Sequence, residues 1–352
     1  MKNHYAPKIL FALLAMLLAL AAAGCGSDDD SSADTAATTD SLVVYSGRDA
    51  ELVEDLYAKF EKESGVKLEV RYADTPELAA TLIEEGANTP ADVFYAQDAG
   101  AVGSVANKGL LAPITAKSFD DVPDRFRATD GAWTGITGRA RTQIYNTDKL
   151  KADELPESVL ALTEPEWKGR VAIAPGNSSF QGFVTAMRET IGDAKTKAWL
   201  EGMKANDVKT YEGNGDIAAA VADAEVDTGL VNHYYLYELL AENPDAPAAN
   251  HFFKKGDPGA FVNASAAGIL KAGKNQANAQ KFIEFLLSEG QAYFATEAAE
   301  KEYPVIASYQ EDLPESLPPL EEVEGPDVPL DTLGEELPST VRMIESVGFP
   351  GT

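Results

Sequence analysis

SLVVYSGRDAELVEDLYAKFEKESGVKLEVRY (residues 41–72) reads as strand, helix, strand. Leu42-Val43-Val44-Tyr45 is a short apolar run. Ala50 to Ser64 sets Leu52, Val53, Leu56, Tyr57 and Phe60 on one helical face, and Gly65 stops the helix. Val66, Leu68, Val70 and Tyr72 then alternate, the period of a strand. Between the first strand and the helix lies a polar joint, Ser46-Gly47-Arg48-Asp49.

The same rhythm continues outward. Pro76 to Glu85 is a helix opened by proline in its first turn, Ala91 to Tyr95 a buried strand, and Ala99 to Lys108 a helix ending at Gly109. Arg141 to Tyr145, Arg170 to Ala174 and Thr228 to Val231 are expected as strands, with a further strand region over Gly259 to Leu270. Helices are expected over Phe180 to Ile191, Asp193 to Ala205, Asp216 to Ala224, Tyr234 to Glu242 and Asn275 to Ser288. Strand–helix alternation means an α/β fold with largely parallel sheets. Residues 41–352 suffice for two domains. The tail from Leu313 to Pro338, rich in Pro and Glu, is expected to run extended over the surface. In sheets of this kind ligands bind at the carboxyl ends of strands. Four joints there carry polar residues: Ser46-Gly47-Arg48-Asp49, Gln97-Asp98, Asn177-Ser178-Ser179 and Asn232-His233-Tyr234-Tyr235.

The other end of the argument is the leader. Lys2 and Lys8 precede an apolar run from Ile9 to Ala23, the pattern of a secretory signal. The run is shorter than the roughly 20 residues a membrane-spanning helix needs. It ends in Ala22-Ala23-Gly24-Cys25, which resembles the bacterial lipobox. Residues 1–24 are therefore expected to be a signal peptide and Cys25, the single cysteine of the chain, to carry lipid. The acidic, Ser/Thr-rich stretch to Asp40 reads as a tether, so 25–40 is a lipidated linker. With the leader gone no structural disulfide or zinc–thiolate site remains. The whole chain has 29 basic and 57 acidic residues; losing Lys2 and Lys8 leaves 27 against 57, a net charge of −30. Such a chain repels nucleic acid and anionic lipid.

At its polar joints the chain resembles the bacterial ferric-ion-binding proteins of the type II periplasmic binding fold. The likeness is carried in order by VVYSGRDAELVEDLYAKFEKESGVKLEVRY, TPADVFYAQDAGAVGSVANKGLLAPI, RARTQIYNTDKL, EPEWKGRVAIAPGNSSF, GLVNHYYLYELLAEN and KKGDPGAFVNASAAGIL. The resemblance implies a two-lobed α/β fold, with mixed, mostly parallel sheets and crossing hinge strands. Lobe one is expected at 41–140 plus 262–312, and lobe two at 141–261 plus 313–352. It implies a monomeric, non-enzymatic receptor on the outer face of the cytoplasmic membrane that gives ferric iron to an ABC transporter permease and its ATPase.

By the same resemblance Tyr234 and Tyr235 are iron ligands, and Tyr145 a third. Fe(III) is a hard cation that favours anionic oxygen, and a bound metal can remove a phenolic proton although phenols ordinarily ionise near pH 10. The family's His and Glu positions fall on Asp49 and Gln97. Asp49 reads either as a carboxylate ligand or as a helix N-cap; Gln97 has no charge. A synergistic anion, carbonate or phosphate, is implied beside the metal at Arg141, Arg139, Asn177, Ser178, Ser179, Asn214 and Asn232. Arg139 reads equally as an ion-pair residue, and Asn177-Ser178-Ser179 as a simple cap. The competing readings are a same-fold receptor for a phosphonate, polyamine or iron chelate, and an exported hydrolase. Only His233 and His251 survive leader removal, and neither G-x-S-x-G nor H-E-x-x-H occurs, which disfavours an enzyme.

Overall fold

Among the described residues eleven strands are interspersed with eleven α-helices. The strands are β1 (Ser41–Ser46), β2 (Lys67–Tyr72), β3 (Val93–Ala96), β4 (Leu111–Ala112), β5 (Trp133–Asn146), β6 (Val171–Ile173), β7 (Lys209–Thr210), β8 (Thr228–Asn232), β9 (Ala248–His251), β10 (Val262–Leu270) and β11 (Tyr303–Pro304). The helices are α1 (Ala50–Ser64), α2 (Thr75–Glu85), α3 (Ala99–Ala106), α4 (Ser178–Ile191), α5 (Asp193–Ala205), α6 (Asn214–Ala222), α7 (Tyr235–Glu242), α8 (Gln276–Leu287), α9 (Glu289–Ala292), α10 (Leu320–Val323) and α11 (Leu330–Ser346). These come from a computed structural model that describes residues 41–314 and 316–351. The expected leader, Cys25 and the tether lie outside the described residues.

The strands fall into two sheets that share β5. In the first, β1 is flanked in parallel by β2 and β3, and β10 runs antiparallel between β3 and β5. In the second, β6 runs parallel to β7 and β8, and β8 pairs antiparallel with β5. β5 spans 14 residues, all buried, because protein covers both of its faces along its whole length. Up to Ala140 it pairs with β10; from Arg141 onward it pairs with β8, and from Gln143 with β9 as well. The resulting architecture is the expected two-lobed α/β fold, with mixed parallel and antiparallel sheets and a strand crossing from one lobe to the other. The crossing makes the sequence reading of Arg141 to Tyr145 too short: the strand begins eight residues earlier.

Packing follows the helical faces read from sequence. Val53, Leu56, Tyr57 and Phe60 of α1 are buried. Phe60 meets Phe282 and Phe285 of α8 edge-on, with centroids 5.0 and 5.3 Å apart. Each such ring contributes about 0.5–1.5 kcal/mol beyond its buried area. Gly65 ends α1 in the left-handed region, φ 73°, where a Cβ would be strained. In the second lobe Phe180, Phe183 and Trp199 form a corresponding cluster between α4 and α5.

The tail is not extended as expected. Residues 330–346 form α11, because Leu330, Leu333 and Ile344 sit at helical spacing and bury. Pro338 lies inside this helix and removes the donor that the Gly334 carbonyl would use. The first half of α11 packs on α3, where a Cβ on Gly334 would press into the Gly100 carbonyl oxygen. The second half packs on α4, with Thr340 Oγ1 2.8 Å from Thr185 Oγ1 and Arg188 donating to Ser339 Oγ at 2.6 Å. Gly→Ala normally stabilises a helix by up to about 1 kcal/mol. Here Gly334→Ala should instead destabilise by about 1–3 kcal/mol through overpacking. A urea midpoint at or above the parent's would refute that contact.

Candidate functional site

β8 ends at Asn232, and the chain turns through His233 and Tyr234 into α7, which begins at Tyr235. His233 holds this turn at the crossing point. Its backbone N–H donates to Ala140 O at 2.9 Å, and its carbonyl accepts Asn250 Nδ2 at 2.7 Å. Its Nδ1 accepts the Ala140 amide at 3.2 Å, so Nε2 carries the proton and donates to Lys301 O at 3.1 Å. Burial lowers its pKa to about 4, leaving a neutral ring with both nitrogens engaged. His233 is thereby a strut, not a metal donor.

Tyr234 is buried, Tyr235 half-buried, and their rings lie 4.5 Å apart. Asn232 Nδ2 donates to the Tyr234 hydroxyl at 3.4 Å. Burial pushes the Tyr234 phenol well above its ordinary value, with the Arg139 cation, 4.9 Å over its ring, pulling the other way. Burial also raises Tyr235, against hydrogen bonds from Tyr234 and Asn214. Two adjacent phenols of this kind stay protonated near neutrality unless a strong positive charge enters between them.

Arg141, on β5 beside Asn232, is 1% exposed and has no carboxylate partner among the described residues. Its donors reach Leu230 O at 2.7 Å, Ser179 Oγ at 3.3 Å, and Asn214 Oδ1 and Asn232 Oδ1 at 3.4 Å each. Its Nε has no partner. Burial lowers the guanidinium to about 9, with the two tyrosines acting in the opposite direction. A buried cation served only by neutral oxygens is costly unless an anion joins it. The same oxygens form a network with Asn177: its Oδ1 caps α4 by accepting Ser179 N at 3.0 Å, and also accepts Ser179 Oγ at 2.6 Å and Asn214 Nδ2 at 3.1 Å. Ser178 and Ser179 therefore lie in the first turn of α4, two residues earlier than the expected helix start. So Arg141, Asn177, Ser179, Asn214 and Asn232 come together, and Ser178 lines the space beside them.

Arg139 stands apart from that network. Its Nε donates to Glu302 at 2.8 Å and its Nη1 to the Gln97 carbonyl at 2.6 Å. Arg48 reaches the same carboxylate at 3.0 Å and Glu300 at 3.3 Å. Arg139 is thus an ion-pair residue that also lines the site, and this buried Arg48–Glu302–Arg139 group was not legible in sequence. Two spaces adjoin the tyrosines. A cleft of about 790 Å³ is lined by Asp49, Tyr72, Gln97, Asn177, Ser178 and Tyr235. Next to it is a cavity of about 20 Å³, the size of one small ion or water, between Asp98, Arg139, Ser178, Asn232, Tyr234 and Tyr235.

Asp49 occupies the N-cap position of α1, but its exposed side chain makes no capping bond and faces the wide cleft. Tyr145 is not brought to the pair. It pairs with Thr228, four residues beyond the Arg141–Asn232 level, and is buried in the hydrophobic core. At about 3.3 Å per residue it lies roughly 13 Å farther along the strand. Among the described residues no three His, Cys, Asp or Glu side chains gather in a metal-holding arrangement.

Residues 88–327 match the family model described as bacterial extracellular solute-binding protein. The chain is similar to the Fe(3+)-binding periplasmic protein of Serratia marcescens, 36% identical over 76% of this chain and 80% of that one. It is also similar to the crystal structure of iron-bound HitA from Pseudomonas aeruginosa, with a TM-score of 0.81 and 32% identity, covering 88% of this chain and 99% of that chain. A Trichodesmium protein in complex with iron and citrate superposes with a TM-score of 0.77 and 29% identity, over 88% of this chain and 99% of that one.

Proposed function

The chain belongs to the bacterial extracellular solute-binding proteins, a family of receptors and not of enzymes, and from that membership we propose that it binds ferric iron and delivers it to an ABC importer. The observation that carries the proposal is the Tyr234–Tyr235 pair, two crowded phenols beside an ion-sized cavity, with the uncompensated Arg141 next to them. Ferric iron supplies the charge that ionises both phenols. A small anion, carbonate or phosphate, would supply what Arg141 lacks. It would lie against Arg141, Asn177, Ser178, Ser179, Asn214 and Asn232, and Asp49 would meet the cargo from the opposite wall.

In this reading lobe one is 41–140 plus 262–312 and lobe two 141–261 plus 313–352, and the two close on the cargo about β5. Cys25 would tether the protein, as a monomer, to the outer face of the cytoplasmic membrane after leader removal. Its partners would be the importer's permease and ATPase. The width of the main cleft favours a second reading, in which the iron arrives as a chelate of a small polycarboxylate.

The test is titration of the soluble fragment 41–352 with ferric iron held in a weak chelator. One iron per chain should bind with a visible phenolate-to-iron absorption band. Loading should release protons, because both phenols are protonated when empty. The sign is then fixed: acidification returns those protons and should expel the metal, while mildly alkaline pH should retain it. A fragment that takes up no iron and shows no band refutes the proposal. Binding only when citrate is supplied would select the chelate.

A further inference from the structure

Asp98 stands one residue beyond Gln97 at the end of β3 and was given no role of its own by the sequence. Its Oδ1 accepts the Ala101 amide at 3.1 Å, capping α3, and its Oδ2 accepts Asn263 Nδ2 at 2.5 Å. Both partners are neutral. No lysine, arginine or histidine forms an ion pair with it among the described residues, since Arg139 spends its donors on Glu302 and the Gln97 carbonyl. With the Gly100 amide as a third neutral donor, the carboxylate still keeps about one of its four acceptor sites free. The side chain is only partly buried, and it lines the same small cavity as Tyr234 and Tyr235. Burial raises its carboxyl above the usual range.

Its position relative to the lobes matters. Asp98 and Asn263 belong to the sheet of β1–β3 and β10, whereas the tyrosines follow β8. A Cβ on Gly182 of α4 would stand 3.5 Å from Asp98 Oδ2, so the carboxylate meets the second lobe directly. Asp49 lines only the wide cleft of the two spaces, and Gln97 is neutral.

We infer that Asp98 is a metal ligand, the carboxylate that one lobe adds to the Tyr234–Tyr235 pair of the other. The inference rests on the ferric reading above. Two phenolates and one carboxylate cancel a trivalent charge, the role that Tyr145 is too distant to fill. A donor from each lobe also ties cargo binding to closure, because the donor set is complete only when the starts of α3 and α7 approach.

Asp98→Asn and Asp98→Ser test it. Asn and Ser cap a helix about as well as Asp, so α3 should keep its start. Serine also avoids setting an amide against the Asn263 amide. Both variants of the 41–352 fragment should melt near the parent. Both should lose more than the roughly 100-fold in iron affinity that removing an outer partner of a metal ligand costs. At saturating iron the phenolate band should persist at a shifted wavelength, since both tyrosines remain. If either variant binds iron as tightly as the parent with an unshifted band, Asp98 is a helix cap only and the inference falls. Failure of the ferric reading looks different: the parent itself would show neither iron uptake nor a band.

Discussion

Replacing Tyr234 and Tyr235 together by phenylalanine should lower ferric affinity by about three orders of magnitude or more and abolish the visible band. The change removes two donor oxygens and keeps both rings. The 4.5 Å ring contact and the Arg139 stacking over Tyr234 therefore survive, and the fold should hold. The hydrogen bonds lost are the long one from Asn232 to the Tyr234 hydroxyl, at 3.4 Å, and those that join Tyr235 to Tyr234 and Asn214, each worth about 1 kcal/mol. Each single variant should lose part of the band, because either phenolate alone still gives charge transfer. Absorbance and competition titrations against a chelator of known strength read both effects. A double variant with parental affinity and colour would remove iron from the account of this site and leave a receptor for another solute.

Glu302→Gln should cost about 3–5 kcal/mol of stability, the largest fold effect expected of one substitution here. Glu302 is fully buried and neutralises Arg48 and Arg139 at once, with Thr137 Oγ1 donating to it at 2.5 Å. Burial by itself would raise its carboxyl, but Arg139 and Arg48 pull it down to about 2. Glutamine keeps the shape, leaves the buried Arg139 without its carboxylate and leaves Arg48 with Glu300 alone. The melting midpoint should fall by roughly 6–10 °C. The pH dependence has a definite sign. An unfolded glutamate titrates near 4.3, so the contribution of Glu302 is complete above that pH and is lost as pH falls towards 2. The variant should show a flatter stability profile over that window. An unchanged midpoint would mean that Glu300, 3.3 Å from Arg48, takes over the charge.

The amphipathic helix of 50–64, the alternating strand after it and the Asn232-His233-Tyr234-Tyr235 joint are local patterns, with chemistry contained within a few neighbouring residues. These were legible. The placement of Tyr145 was not, because a strand end is defined by its partners. β5 continues past the level of Asn232 to pair with Thr228 and Ala249, which carries Tyr145 into the core. The tail was misread because proline content outweighed the spacing of Leu330, Leu333 and Ile344; packing on α3 and α4 holds the helix despite Pro338. Asp98 and Gln97 are equivalent as letters at one joint. Both line the small cavity beside the tyrosines, and only the start of α3 decides that Asp98 caps that helix and meets Gly182 of α4.

The sequence by itself determined the α/β class and, through the family its motifs resemble, the two-lobed architecture and a receptor role, and it singled out the Tyr234–Tyr235 joint. All of these are written in periodicity, in short motifs and in their order along the chain. Tertiary structure alone decided which charges meet: Arg48 and Arg139 on Glu302, more than 160 residues away, Arg141 with no carboxylate among the described residues, and Asp98 beside the phenols. Coulombic and desolvation energies depend on distance in space and on burial, and neither is a property of neighbours in the chain.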